Sequence, residues 1–243
     1  MITLFIKELK SFFSSLTGYI VIIVFLIING LFLWVFPGDF NVLDSGYATL
    51  ESFFIIAPWV FLFLVPAVTM RMIAEEKRTG TIELLLTRPL SEFEIIFAKF
   101  SAGVLLVIFS LIPCLIYFVS VFLLGNPPGN IDTGGTWGSF IGLFFLATVY
   151  VSIGVFASSL SENQIITFII AVLFSFFFFI GFESISSIDF FGNLQEYVLN
   201  MGIKEHYSSM SRGVLDSRDI IYFILIDGLF IMFTRTILQS RKW

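Results

Sequence analysis

Long apolar stretches separated by short polar ones make up most of the chain. A helix needs about 20 mostly apolar residues to cross the hydrocarbon core of a bilayer. The pattern predicts six spans, at residues 18–36, 53–70, 95–124, 138–160, 165–182 and 220–238. The third is too long for one crossing, so we expect it to continue beyond the membrane as a helix. The sequence therefore predicts an all-α integral membrane protein with six transmembrane helices in one domain, residues 1–243.

Residues 1–16 carry a different pattern. Their apolar side chains recur at helical spacing in one stripe, formed by Ile2, Phe5, Ile6, Leu9, Phe12, Phe13 and Leu16. Lys7 and Lys10 fall on the other face. This arrangement is typical of a helix that lies in the membrane interface, with its basic residues toward the lipid head groups. The alternative is a helix that packs on a soluble partner.

Composition supports a lipid environment. The chain is 58% hydrophobic and 13% charged, whereas a soluble domain is roughly 25% charged. There is no basic run, so we expect no nucleic-acid partner. The single cysteine, Cys114, excludes an internal disulfide and a cysteine metal cluster. The single histidine, His206, is expected in an exposed loop and cannot form a histidine-rich metal site.

Lysine and arginine predict the orientation, because loops on the cytoplasmic side are enriched in them. With a cytoplasmic N-terminus, only Lys204, Arg212 and Arg218 lie outside. Ten lysines and arginines lie inside, namely Lys7, Lys10, Arg71, Lys77, Arg78, Arg88, Lys99, Arg235, Arg241 and Lys242. We therefore expect both termini and residues 71–94 in the cytoplasm and residues 183–218 in an outer segment.

The outer segment is too long for a simple connection. Helical spacing within it predicts a short amphipathic helix, re-entrant or on the outer surface, that carries Phe190, Leu194, Tyr197, Val198 and Met201. The alternative is a small soluble cap.

Motifs for catalysis are missing from the sequence. There is no G-x-x-x-x-G-K-[ST], so we expect no ATP bound in a Walker A loop, and neither H-E-x-x-H nor G-x-S-x-G occurs. We expect no catalytic residue and no metal ligand. Asp227 is the one acid placed deep in a predicted span, and intramembrane acids mark ion or proton paths. It is a candidate polar site, although it can equally pair with a neighbouring helix or a partner subunit.

The charged loop at residues 71–94 has a local structure that its sequence predicts. Residues 71–78 extend the second span as a helix, and Gly80 ends it. Thr81 then caps a two-turn helix at residues 82–87, which Pro89 ends. A capping box at residues 91–94 begins the next helix. The loop is therefore two short helical pieces with two sharp corners.

A rigid helix with exposed leucines ringed by charge is suited to a groove in another protein. The candidate docking residues are Glu75, Glu76, Lys77, Arg78, Gly80, Thr81, Glu83, Leu84, Leu85, Thr87 and Pro89. The alternative is a loop that packs only on its own helix ends.

The stretch EEKRTGTIELLLTRPLS at residues 75–91 resembles the signature that follows the second span in ABC-2 type transporter permeases. The order of elements is also similar to that family: an interfacial helix, six spans and a large outer segment before the last. HYSSMSRGVLDSRDIIYF at residues 206–223 resembles a subgroup that includes gliding-motility-associated permeases.

This resemblance implies an ABC-2, type V exporter-like permease fold in the bacterial inner membrane and an association with gliding motility. A separate ABC ATPase would hold ATP and Mg²⁺, so this chain itself would bind no cofactor. A second permease copy, or a related membrane subunit with a periplasmic part, would complete the assembly. The helix at residues 83–87 would couple the ATPase to the spans, and Pro66, Phe174 and Phe177 would line the path.

Two other functions stay open from the sequence. The chain is an ion- or proton-coupled carrier that uses Asp227, or it is a membrane anchor that recruits an envelope machine without transport. The sequence names no substrate.

Overall fold

The computed structural model describes residues 1–87, 90–187, 195–213 and 215–240. None of these residues lies in a β-strand, and most are helical, which confirms the all-α prediction. Five helical stretches are long and apolar enough to cross a membrane: Glu51–Arg78, Glu92–Leu124, Thr133–Leu160, Gln164–Ser186 and Ser217–Gln239. A bent N-terminal pair of helices makes a sixth if the pair is counted as one span.

The bent pair consists of α1 (Ile2–Ser14) and α2 (Leu16–Trp34), whose axes differ by 63°. The side of α1 that is buried against the bundle carries Leu4, Glu8 and Phe12, at i, i+4 and i+8. Ile2 and Ile6, which belong to the predicted apolar stripe, are exposed instead. The stripe is therefore divided between the protein and its surroundings. A short helix, α3 (Val42–Ser45), follows.

The second span is α4 (Glu51–Thr69), with Pro58 and Pro66 inside it. The predicted continuation of this helix through residues 71–78 is confirmed, since Glu51–Arg78 forms one helical stretch, but the stretch contains an interruption that was not predicted. The backbone turns at residues 70–73 before α5 (Ala74–Arg78) and α6 (Thr81–Leu86). The physical reason for this turn lies in contacts with a later helix that are described below.

The third span consists of α7 (Glu92–Leu111), a 3₁₀ turn (Ile112–Cys114) and α8 (Leu115–Leu124). The turn includes Pro113, which lacks the amide that an α-helix needs there. The predicted excess length of this span is confirmed.

The most buried of the described spans is α9 (Thr133–Leu160). It packs against α4 and α7 and against three helices introduced below. Small residues allow the close approach, since a Cβ atom added at Gly154 would overlap Thr69 Oγ1 on α4.

The fifth span joins α10 (Gln164–Phe176), a π-helical turn (Phe177–Gly181) and α11 (Phe182–Ser186). Beyond it lie α12 (Gln195–Leu199) and α13 (Ile203–Ser211), and the last span is α14 (Ser217–Gln239). The helix predicted in this region begins with Phe190 and Leu194, which lie outside the described residues. Tyr197 and Val198 are on α12, and α13 was not predicted.

The expectation of an exposed loop histidine is wrong. His206 is on α13, where its Nδ1 lies 2.7 Å from Asp219 Oδ1 on α14 and its Nε2 lies 2.9 Å from the Asn200 carbonyl oxygen. Its ring also stacks on Tyr222, with ring centroids 3.8 Å apart. These contacts fasten α13 to the start of α14.

The bundle has two ends with different chemistry. The proximal end holds α1, α5, α6 and the start of α7, and the distal end holds α3, α13 and the start of α9. The predicted inner and outer cations that are described lie at the proximal and distal ends respectively, while Arg88, Arg241 and Lys242 lie outside the described residues. That the proximal end faces the cytoplasm stays a prediction.

Candidate functional site

A serine of α9 holds the turn that follows α4. Ser158 Oγ accepts hydrogen bonds from the amides of Ile73 and Ala74, at 2.9 and 3.0 Å, and donates one to the Met70 carbonyl oxygen at 3.0 Å. The hydroxyl takes the place of the helical partners that these backbone groups lack at the break. Buried backbone groups need such partners. The hydrogen bonds of Ser158 therefore offset the free-energy cost of interrupting the helix of the second span.

Lys77 fixes the far side of α5 to the same helix end. Its ammonium donates to the Ser159 carbonyl oxygen, and the residue is buried. A lysine at the C-terminus of a helix also complements the partial negative charge there. Together, Ser158 and Lys77 attach α5 to the proximal end of α9 through both backbone and side chain.

A buried lysine joins three elements at the proximal end. Lys99 on α7 is 1% exposed, and its Nζ lies 3.0 Å from Glu8 Oε1 on α1 and 2.9 Å from Glu76 Oε2 on α5. It also donates to the Met72 carbonyl oxygen at 2.6 Å. Lys7 pairs with the other oxygen of Glu76 at 3.2 Å. We call Lys7, Glu8, Glu76 and Lys99 the charge cluster.

The charge cluster balances two cations against two anions. A buried ion is tolerated when oppositely charged partners and hydrogen bonds replace the water that it loses. Removal of one partner leaves an uncompensated charge, so the positions of α1, α5 and α7 depend on one another. Arg71 adds a further contact at the corner of α1, through Ser15 Oγ at 3.3 Å.

The corner between α5 and α6 departs from the predicted capping in one respect. Gly80 has φ +69°, which favours glycine, and it ends α5 as predicted. Gly80 is also the residue that precedes α6, so the prediction that Thr81 caps this helix is wrong. Thr81 Oγ1 lies 2.9 Å from Thr79 Oγ1 instead. The capping box of Ser91 and Glu94 is confirmed at the start of α7.

The predicted docking residues divide into an inward and an outward set. Glu76, Lys77 and Leu85 point inward; Leu85 is half-buried against a cluster that includes Leu4 and Ile95, so its expected exposure is wrong. The outward set, here called the docking face, is exposed and comprises Glu75, Arg78, Gly80, Thr81, Glu83 and Thr87. Pro89 and the side chain of Leu84 lie outside the described residues.

Residues 2–199 match the family model described as ABC-2 family transporter protein. The match covers most of the chain. The chain belongs to the ABC-2 transporter family. Members of this family are membrane subunits of transporters, so the chain is a multi-pass permease. A comparison with curated proteins finds no significant match.

Sequence reasoning missed three residues that hold the docking face of this ABC-2 permease in place: Glu8, Lys99 and Ser158. One signal was present, because a lysine within a predicted span requires a partner. Lys99 is such a residue, but the sequence does not indicate which of 18 acids is its partner. Ser158 gave no signal, since a serine in a membrane helix usually bonds within its own helix.

The remaining predicted site residues of the permease lie elsewhere. Asp227 is half-buried on α14, where its carboxyl faces the hydroxyls of Thr148 and Ser152 on α9. Pro66 is buried inside α4. The other two candidates for the path, Phe174 and Phe177, are exposed. A path between two permeases would involve a second chain, so these assignments stay predictions.

Proposed function

We propose that this chain is the permease subunit of an ATP-driven transporter and that a separate ABC ATPase binds to its docking face. One observation carries the proposal: among the described side chains of the family-like helices α5 and α6, the exposed ones are polar, whereas Glu76 and Lys77 point inward and are bonded to the bundle. A surface of this kind presents charged side chains to a soluble partner, while the inward residues hold α5 in place against the bundle. Electrostatic complementarity of this sort selects a partner.

The attachment of α5 explains how a movement of the ATPase would reach the spans. Ser158 and Lys77 attach α5 to α9, and the charge cluster attaches it to α1 and α7. A force on the docking face would therefore displace the ends of these helices together, because packed elements with buried ion pairs do not deform independently. A flexible loop would absorb the same force.

ATP and Mg²⁺ belong to the partner in this proposal. The sequence has no Gly-Lys pair and thus no Walker A lysine. The residues of this chain would instead contact the ATPase and transmit its closure. Permease copies would pair with one another, or with a related membrane subunit that has a periplasmic part, in the bacterial inner membrane with the proximal end in the cytoplasm.

The experiment is co-purification of the tagged permease with the ATPase recovered from its own cells. Glu83→Lys combined with Arg78→Glu reverses two charges of the docking face and is expected to lower ATPase recovery by at least tenfold, since like charges across an interface cost several kcal/mol. The matched control is Asp39→Lys, an exposed acid at the distal end, which should leave recovery unchanged. Equal recovery in all three proteins would contradict the proposed docking.

We also propose an association with gliding motility, which rests only on the resemblance of residues 206–223. This stretch lies beyond the residues that match the family, so the family supports transport but says nothing about motility. Deletion of the gene should abolish the spreading of colonies on agar, and a copy with the double charge reversal at the docking face should fail to restore it. Normal spreading without the gene would refute the association.

A second candidate function is an ion- or proton-coupled carrier. The observation in its favour is that Asp227 Oδ1 is buried without a hydrogen-bond partner among the described residues. The carrier hypothesis expects transport by the purified chain alone in liposomes, abolished by Asp227→Asn. Transport that requires both ATP and the ATPase would exclude it, and a phenotype that survives an inactive ATPase would favour an anchor.

A further inference from the structure

A cavity of about 620 Å³ opens at the distal end, at a distance from the docking face. Its walls come from α4, the start of α9 and α13, and Phe179 of the π-helical turn also contributes. Glu51 and Trp59 both line it, eight residues apart on α4 and so about 12 Å apart along the helix axis. The volume is within the range of roughly 300–1,000 Å³ that is usual for sites that bind small molecules.

Specific contacts hold the wall that α13 contributes. A Cβ atom at Gly138 would lie 2.8 Å from the Met210 carbonyl oxygen, so α13 touches the backbone of α9. Tyr207 donates its hydroxyl to the Phe54 carbonyl oxygen at 2.7 Å. That carbonyl has no helical donor, because the residue four positions later, Pro58, has no amide. The cavity is therefore preformed by packing.

The mouth of the cavity offers one cation without a carboxylate partner among the described residues, Arg212, whose Nε donates to the Ser208 carbonyl oxygen at 3.3 Å. Arg212 is exposed, and in the part of the chain that the structure describes no carboxylate lies within 4.0 Å of its guanidinium. Lys204 pairs with Glu183 at 2.6 Å. Asp132 accepts the Gly135 amide as the cap of α9.

Hydroxyl groups and two aromatic rings complete the chemistry of the cavity. Thr136, Ser208 and Ser211 line the wall near Arg212. Thr136 and Ser211 already donate their hydroxyls to the carbonyl oxygens of Asp132 and Ser208, at 2.6 and 2.9 Å, so among these three the Ser208 hydroxyl is the donor that remains for a ligand. The apolar part of the wall is formed by Phe179 and by Trp59, which is 41% exposed; their ring centroids are 5.7 Å apart. Polar groups at one end and aromatic rings at the other match a molecule with a charged head and an apolar chain.

We propose that this cavity binds an amphiphile with an anionic head group, a phosphate or carboxylate. Arg212 contacts the head, since a guanidinium matches both anions through paired hydrogen bonds, and the apolar part lies against Trp59 and Phe179. The acid at the mouth, Glu51, disfavours a head group with a higher negative charge. This binding requires no ATPase, so it stands or falls independently of the proposed function.

The test measures the binding of dodecyl phosphate to the purified chain in a neutral maltoside detergent, with thermophoresis as the readout. Arg212→Gln should weaken binding by about tenfold or more, the effect of losing a charged hydrogen bond. Arg218→Gln is the matched control, because Arg218 is also exposed at the distal end but does not line the cavity; it should bind like the wild type. Trp59→Leu, at a partly exposed position, should also weaken binding.

Four further probes decide the chemistry of the ligand. Dodecyltrimethylammonium should not compete, and inorganic phosphate should bind far more weakly than dodecyl phosphate. Equal binding of either probe, or an Arg212→Gln protein that binds normally, would overturn the proposal. Competition by phosphatidylglycerol but not phosphatidylcholine in mixed micelles would identify a lipid head group as the source, whereas no competition by either would identify a single-chain amphiphile.

Discussion

The charge cluster provides the strongest test of how the docking face is held. Lys99→Met removes an ammonium that lies within 3.0 Å of two carboxylates and is 1% exposed. The two acids then face one another with only Lys7 nearby. Breaking a buried pair by removing one partner costs about 3–5 kcal/mol, whereas an exposed pair is worth roughly 0–1 kcal/mol. Because Lys99 is buried, we expect its substitution to have the larger cost, that of breaking a buried ion pair.

Unfolding in mixed micelles measures the change in the free energy of unfolding, and hydrogen exchange shows which helices are destabilised. We expect Lys99→Met to lower the free energy of unfolding by about 3–5 kcal/mol and to expose the amides of α1 and α5 to exchange. The matched control is Lys10→Met on the exposed side of α1, which should change little. Adding Glu8→Gln and Glu76→Gln to Lys99→Met should restore part of the stability, because the uncompensated acids are removed.

The result that would refute this reasoning is quantitative. A cost below about 1 kcal/mol would mean that Lys99 behaves like a solvent-exposed residue. Additivity of Lys99→Met and Glu8→Gln to within about 0.5 kcal/mol would mean that the two residues do not interact. In either case the docking face would not depend on α1 and α7.

Four further substitutions, three that should destabilise and one control, test other contacts by the same unfolding measurement. Gly154→Ala should destabilise by about 1–3 kcal/mol or more through overpacking against Thr69, whereas Gly228→Ala has open space and should be neutral or stabilising. Ser158→Ala should cost about 1–3 kcal/mol, because two buried amides lose their acceptor. Tyr207→Phe should lower the free energy of unfolding by about 1 kcal/mol and increase hydrogen exchange in α13. If Gly154→Ala, Ser158→Ala or Tyr207→Phe left stability unchanged, that result would contradict the contact assigned to the residue.

The sequence was sufficient for the spans because each depends on composition within one continuous segment. The six predicted stretches and the break at Pro113 follow from apolar length and from a missing amide, which are both local properties. The capping box of Ser91 and Glu94 is similarly local, since its partners are three residues apart. Such features require no knowledge of which helices are neighbours.

Apart from the cap of α6, where Gly80 takes the place predicted for Thr81, the features that the sequence did not reveal depend on contacts between distant segments. The turn after α4 is stabilised by Ser158, 85 residues from Ile73 along the chain. The partner of Lys99 on α1 is 91 residues away. Leu85 was predicted to be exposed because charged residues flank its leucine run, but residues of α1 and α7 pack against it. Helical periodicity indicates that a face exists and does not indicate what covers it.

The two ends of the bundle are joined by α9, and this has a consequence for coupling. At its proximal end Ser158 and Ser159 hold α5, and at its distal end Gly138 packs on α13 while Ser139 donates to the Ser211 carbonyl oxygen at 3.1 Å. A helix of 28 residues spans about 42 Å and resists compression along its axis. A displacement of α5 along the axis of α9 therefore reaches the wall of the distal cavity without any change in local structure between them.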